Sequence, residues 1–184
     1  MLVLRQLSVL AAVILAAGAA SRFGAPKQAL LLPTVLERVR AAGLDEVVVV
    51  LGAHALETDA RTVRCPDWEL GAGASLRCGL EALAAEVEAA VVVLADGPEL
   101  SPLAIDRVVA AWRDARTMLV AASYDGVRGH PLVLARSAWA SVPDDGLRSR
   151  TPLLVPCDDL GAPGDVDETG DLPERFRKAA GEPM

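Results

Sequence analysis

Between Val13 and Lys27 the chain reads VILAAGAASRFGAPK, and few of these residues carry side-chain bulk. Val13, Ile14 and Leu15 form a short apolar run that suits a buried strand. Ala16, Ala17, Gly18, Ala19, Ala20 and Ser21 follow. Small residues let backbone N–H groups close on a ligand, and a concave run of amides binds phosphate oxygens. Arg22 and Lys27 then add two cations beside an otherwise uncharged loop. Strand, small-residue loop and spaced cations together predict a polyphosphate cradle. The spacing fits neither the G-x-G-x-x-G dinucleotide fingerprint nor the G-x-x-x-x-G-K-[ST] phosphate loop.

Asp96 follows the apolar run Val91 to Ala95. A carboxylate at the end of a buried strand suits Mg²⁺, a hard ion held by a few carboxylates plus substrate phosphates. A helix N-cap is the alternative, but Ser101 before Pro102 is expected to fill that role. Asp165 and Asp167 are two apart and share a face of an extended segment. Asp167 is assigned with Asp96 to the metal, against the alternative of a solvated acidic stretch. Gly71 to Arg77 reads either as a turn with Ser75 as N-cap or as a backbone wall against a nucleobase or ribose.

These residues resemble the L-A-A-G, x-S-x-R-x-G-x-x-K signature of nucleotidyltransferases with a MobA-like fold. Leu15, Ala16, Ala17, Gly18, Ser21, Arg22, Gly24 and Lys27 match it. The L-A-A-G form is similar to that of the molybdenum cofactor (molybdopterin) cytidylyltransferases, which use CTP. Asp96 and Pro98 match a D-x-P motif, and Gly71, Ser75, Leu76, Arg77 and Gly79 match G-x-x-x-S-L-R-x-G. Gly129, His130 and Pro131 match a G-H-P motif on the acceptor-substrate side. Asp144, Gly146 and Arg148 resemble G-D-x-G-x-R, which leaves Arg148 either facing the acceptor phosphate or simply exposed. The run from Asp165 to Leu172 matches D-x-D-T-x-x-D-L in part. Gly97, Pro143 and Glu168 depart from the pattern.

The resemblance implies an α/β three-layer sandwich with a mainly parallel, Rossmann-like sheet of the nucleotide-diphospho-sugar transferase kind. It implies transfer of a nucleoside monophosphate, CMP from CTP, to a phosphorylated acceptor such as molybdopterin, with release of pyrophosphate. Arg22, Lys27 and Asp96 would be catalytic. Leu15 to Gly18, Ser21, Arg22, Lys27, Gly71, Ser75 and Leu76 would bind nucleotide. Gly129, His130, Pro131 and Arg148 would bind acceptor, and Asp96 and Asp167 would hold Mg²⁺. His130 is assigned to positioning, since a phosphate nucleophile is already ionised at neutral pH. The alternatives are another phosphorylated acceptor, GTP in place of CTP, or a non-catalytic nucleotide-binding maturation factor for a molybdoenzyme partner.

Alternating strand and helix patterns must position these groups. Val47–Leu51 and Val91–Ala95 are continuous apolar runs, as strands covered on both faces require, and Met118–Ala122 is a third. Helical patterns lie over Val35–Ala42, Ser75–Glu88 and Pro102–Asp114, and a surface helix is expected in the tail from Pro173. Beside the family pattern the chain reads as short at Pro33–Thr34, His54–Arg61 and Arg150–Thr151. Its 184 residues suit a single nucleotidyltransferase domain over 1–184. The apolar fraction is 52% with only 3% aromatics, so the core must be Ala, Val and Leu. A net charge of −7 gives a nucleic-acid partner no electrostatic help. Cys65, Cys78 and Cys157 lack C-x-x-C spacing and read as thiols of a reduced, cytoplasmic protein. Residues 1–20 could be read as an export signal or membrane anchor, but Gln6 and Ser8 interrupt the run, and no membrane association is expected.

Overall fold

The computed structural model describes residues 8–19 and 27–177. The strands are β1 (Leu10–Ala16), β2 (Glu46–Leu51), β3 (Arg61–Arg64), β4 (Ala89–Leu94), β5 (Leu119–Tyr124), β6 (Val127–Ala135) and β7 (Leu153–Pro156). The α-helices are α1 (Lys27–Ala41), α2 (Ala72–Glu81), α3 (Pro102–Ala115) and the single turn α4 (Glu174–Arg177). All seven strands join one sheet in the order β3-β2-β1-β4-β6-β5-β7. Strand β1 pairs in parallel with β2 and β4, β2 with β3, and β5 with β7; β6 alone runs antiparallel to its neighbours. The sheet is therefore mainly parallel, as the alternating pattern requires.

Side-chain alternation along β1 shows how the layers close. Leu10, Ala12, Ile14 and Ala16 enter one core with Leu32, Val35 and Val39 of α1 and Ile105 and Val108 of α3. Ala11 and Val13 enter the other with Leu76 and Leu80 of α2. A strand buried on both faces needs no polar alternation, which is why β1, β2 and β4 read as unbroken apolar runs. A third, small cluster of Leu31, Val166, Leu172 and Phe176 packs the C-terminal segment onto α1.

Several local expectations change. Helix α1 begins at Lys27, not Val35, and runs unbroken through Pro33 and Thr34, so the abrupt step there is absorbed within a helix. The segment 52–60 carries no helix and delivers the chain to the exposed strand β3, which the sequence patterns had not marked. Strand β7 was likewise unmarked, being four residues long and half exposed. Strands β5 and β6 form a hairpin closed by Asp125 and Gly126, whose φ angles of 52° and 75° give the turn that matches strand twist. The D-G dipeptide was its available signal. Ser101 stands at the α3 N-cap position, but its side chain makes no capping hydrogen bond. Cys65 and Cys78 are joined in a disulfide, with Cα atoms 5.6 Å apart. This corrects the expectation of three thiols. The residues lie 13 apart in sequence, but the fold lays α2 back over the end of β3. Cys157 is free and buried. Among the described residues no helix is long and apolar enough to cross a membrane.

Candidate functional site

Ligands of open α/β sheets bind beyond the carboxyl ends of the strands. Here the ends of β1 and β4 open into a cavity of about 400 Å³. Its wall holds Leu15, Ala17 and Gly18 from the β1 end, Lys27 and Gln28 from the start of α1, and Leu94 and Asp96 from the β4 end. Gly71, Ala72 and Ser75 from the start of α2 close one side, and Asp167 enters from the C-terminal segment.

The electrostatic centre is Lys27. Its side chain is only 7% exposed, and Nζ lies 3.0 Å from Asp96 Oδ2 and 3.4 Å from Asp167 Oδ1. Nζ also donates to the Val166 carbonyl. An ammonium so deep needs charge partners, and two carboxylates supply them. Asp167 reaches this point because the segment before it is pinned. Val166 N donates to the Asp96 carbonyl at 3.2 Å, and Glu99 N donates to the Pro163 carbonyl at 2.9 Å. The Val166 side chain is 1% exposed in the cluster under α1. The Asp171 carboxylate then accepts from Asp167 N at 3.1 Å and Glu168 N at 2.8 Å, fixing the turn after Val166. Asp165, on the other side of Val166, has its carboxyl pushed above the usual range by burial first, then by the Asp96 and Asp167 charges, with Lys27 opposing.

Converging carboxylate oxygens are the donor chemistry of a divalent cation that draws its remaining ligands from phosphates and water. Asp96 and Asp167 fit such an ion. No group of three or more His, Cys, Asp or Glu side chains poised for a metal occurs among the described residues.

Other assigned residues fall in different places. Leu15, Ala17, Gly18, Lys27, Gly71 and Ser75 line the cavity. Ala16 and Leu76 are 2% exposed and contribute to the two cores. Ser75 is not the N-cap of α2; Gly71 takes that position, and Ser75 is buried inside the helix. Gly73 is needed for another reason. A Cβ there would lie 1.7 Å from the Pro143 carbonyl oxygen, and Gly73 N donates to the Asp144 carbonyl at 2.8 Å. Ser21, Arg22 and Gly24 lie outside the described residues.

Two further cavities continue the cleft. One of about 350 Å³ is bordered by Arg128, Gly129, His130 and the exposed Arg148; one of about 470 Å³ lies between Arg128, His130 and Asp165. Leu94 borders all three. Pro131 follows His130 through a cis bond and is buried below them. His130 is held down to about 4, first by burial and then by the Arg128 guanidinium, with Asp96 opposing. Its ring is neutral at pH 7.

The MobA-like NTP transferase domain family matches residues 12–150 of the chain, covering β1 through the loop before β7. The chain belongs to this family. It is a nucleotidyltransferase. Of solved structures, Rv0371c from Mycobacterium tuberculosis H37Rv is 26% identical, with a TM-score of 0.71 over 95% of this chain and 99% of that one. An Rv0371c homologue from Mycobacterium sp. strain JC1 is 24% identical, with a TM-score of 0.75 over 93% and 96%. A nucleotidyl transferase from Methanothermobacter shares the fold at 18% identity, with a TM-score of 0.71 over 93% and 99%. No curated protein matches the chain.

Within this MobA-like transferase, sequence reasoning missed Gln28, Trp68 and Glu69, all of which line the main cavity. Gln28 is 4% exposed and its Nε2 donates to the Gly18 carbonyl at 3.0 Å. Its place directly after Lys27 in the first turn of α1 was the available signal. Arg128 was also missed. It borders both outer cavities and donates to the Leu147 and Arg150 carbonyls at 2.8 and 3.0 Å.

Proposed function

We propose that this chain, acting as one domain, transfers CMP from CTP to a phosphorylated acceptor, molybdopterin, and releases pyrophosphate. The observation that carries the reading is the convergence of Lys27, Asp96 and Asp167 at a small-residue cavity over the β1 and β4 ends. The loop from Ala16 to Ser21 cradles the triphosphate with its amides. Arg22 and Lys27 neutralise charge that gathers on the departing pyrophosphate. Asp96 and Asp167 hold Mg²⁺, which when bound neutralises charge on the reacting phosphate. The acceptor phosphate enters past Gly129, His130, Pro131 and Arg148, and attacks the α-phosphorus in line. A new P–O bond forms as the bond to the bridging oxygen of pyrophosphate breaks. His130, neutral at pH 7, orients rather than accepts a proton. Little covalent chemistry falls to the protein, so positioning and charge placement supply the rate.

That Rv0371c forms a complex with manganese supports the use of a divalent ion by this chain. The L-A-A-G run supports CTP over GTP. We assign a molybdoenzyme as recipient of the product and neither membrane nor nucleic acid as partner. The test is pyrophosphate release by the full chain with CTP, GTP, ATP and UTP, each with Mg²⁺, against molybdopterin and other phosphomonoesters. Turnover only with CTP and molybdopterin is expected. Turnover only with a different pair replaces the substrates but keeps the reaction class. Tight CTP binding without pyrophosphate release for any acceptor overturns the catalytic reading.

A further inference from the structure

The main cavity has two chemically different ends. One holds Lys27, Asp96 and Asp167, next to the end of β4. The other holds Trp68, on a short 3-10 turn (Trp68–Leu70) just before α2. A Cβ placed on Gly52, the residue after β2, would lie 2.7 Å from Trp68 Cγ and 2.5 Å from the Ala17 carbonyl oxygen. The indole therefore presses on bare backbone at the carboxyl ends of β2 and β1, a close approach that only glycine at 52 permits. In the sheet, β1 separates β2 from β4. Adjacent strands are spaced about 4.8 Å, so the ends of β2 and β4 lie about 10 Å apart. That span suits a nucleoside whose base lies over β2 and whose α-phosphate lies over β4.

Aromatic surface is scarce in this chain, which has three tryptophans, one tyrosine and two phenylalanines. The other two tryptophans are engaged elsewhere. Trp112 is 3% exposed in the core, with the Arg116 guanidinium 5.0 Å from its ring centre. Trp139 donates Nε1 to the Leu134 carbonyl at 3.1 Å and has Arg136 4.5 Å over its ring. Trp68 is half-buried, packs partly on the α2-side core, and is the one aromatic residue bordering the main cavity among the described residues. A planar, polarizable face at a cavity wall is a surface for another ring system, because every nucleobase has a π-face.

We propose that the Trp68 indole is the platform on which the nucleobase of the bound nucleoside triphosphate stacks. This rests on the nucleotidyltransferase reading and adds the base-binding element to it. Stacking is tolerant of base identity, so Trp68 supplies affinity for any nucleotide and leaves base choice to the polar atoms around it.

The test is fluorescence and calorimetric titration of the full chain with CTP, GTP and ATP, each with Mg²⁺. For wild type, nucleotide is expected to quench indole emission. In Trp68→Phe the quench should vanish while affinity stays within about threefold, because the aromatic face remains. In Trp68→Leu affinity should fall about ten- to hundredfold for each nucleotide. Trp112 and Trp139 report in all variants that the core is intact. Three results would overturn the stacking role: no wild-type quench despite tight nucleotide binding, equal affinity in Trp68→Leu, or equal losses in the Phe and Leu variants. Should Trp68→Leu fail to fold, the wild-type and Phe titrations still decide. A wild-type protein that binds no nucleotide at all would overturn the nucleotidyltransferase reading itself and stacking with it.

Discussion

Lys27 is held by two carboxylates and a backbone carbonyl in a nearly closed site. Replacing it with Met should remove the ammonium that lies between Asp96 and Asp167. A charge-assisted hydrogen bond to phosphate is worth on the order of 1.5–3 kcal/mol, so nucleotide affinity should fall about ten- to hundredfold by calorimetry. The unliganded variant should also melt earlier, because the ion pair between the 7% exposed Lys27 and Asp96 is lost. His130 makes a different prediction. Its ring titrates near 4 in the folded chain against 6.5 when unperturbed. Between those values the unfolded chain binds a proton that the folded chain refuses. Stability should therefore fall as pH drops from 6.5 to about 4 and should be insensitive to this group above 6.5. Denaturant melts of wild type and His130→Gln across pH 4–8 should diverge only in that window. A His130 ring that titrates above pH 6 by NMR would refute the assignment.

At the scale of elements, the span from Cys65 to Cys78 is one unit. It carries Trp68, Glu69, Gly71, Ala72 and Ser75, the whole α2-side wall of the main cavity, and the disulfide closes it at both ends. Closing a loop of about 15 residues is worth roughly 3 kcal/mol in lost chain entropy of the unfolded state. Cys65→Ala/Cys78→Ala should lower unfolding free energy by about that amount in urea melts. A thiol reductant should destabilise wild type and leave the double variant unchanged. Equal sensitivity of both would show that the pair does not form in solution. Arg77 braces the same wall from the other direction, donating to the Val142 carbonyl at 2.8 Å and pairing with Asp144. The hairpin of β5 and β6 performs the parallel service beside the outer cavities, where the Tyr124 hydroxyl donates to the His130 carbonyl at 3.0 Å.

The molecule as a whole joins its two chain-distant halves at the candidate metal site. Asp96 lies two residues beyond the end of the central strand β4, whereas Asp167 arrives with a C-terminal segment that has little regular structure of its own. That segment is anchored by Leu172 and Val166, both 1% exposed, against Leu31 of α1. Leu172→Ala should cost about 2–5 kcal/mol of stability through the cavity it leaves. It should also weaken metal-dependent nucleotide binding, although Leu172 touches neither ligand, because Asp167 loses its support. Stability loss with unchanged Mg²⁺ dependence of CTP binding would separate the two effects and count against Asp167 as a ligand.

What the chain determined by itself is local. Unbroken Val and Ala runs can be satisfied only by strands covered on both faces, so β1, β2, β4 and β5 and the layered α/β class follow from composition and order. The small-residue loop and Lys27 are close in sequence, and Asp96 lies two residues beyond β4, so their proximity to the strand ends is legible without a structure. Only the tertiary structure decided what depends on approach between distant segments. It brought Asp167 rather than Asp165 to Lys27, drew Ser75 and Leu76 inward, and laid Cys78 against Cys65. It also placed Trp68, which no sequence motif marks, at the cavity wall against Gly52. Short edge strands such as β3 and β7 escaped notice because their half-exposed residues carry no periodic signal. They exist because neighbouring strands offer unpaired backbone groups that must be satisfied.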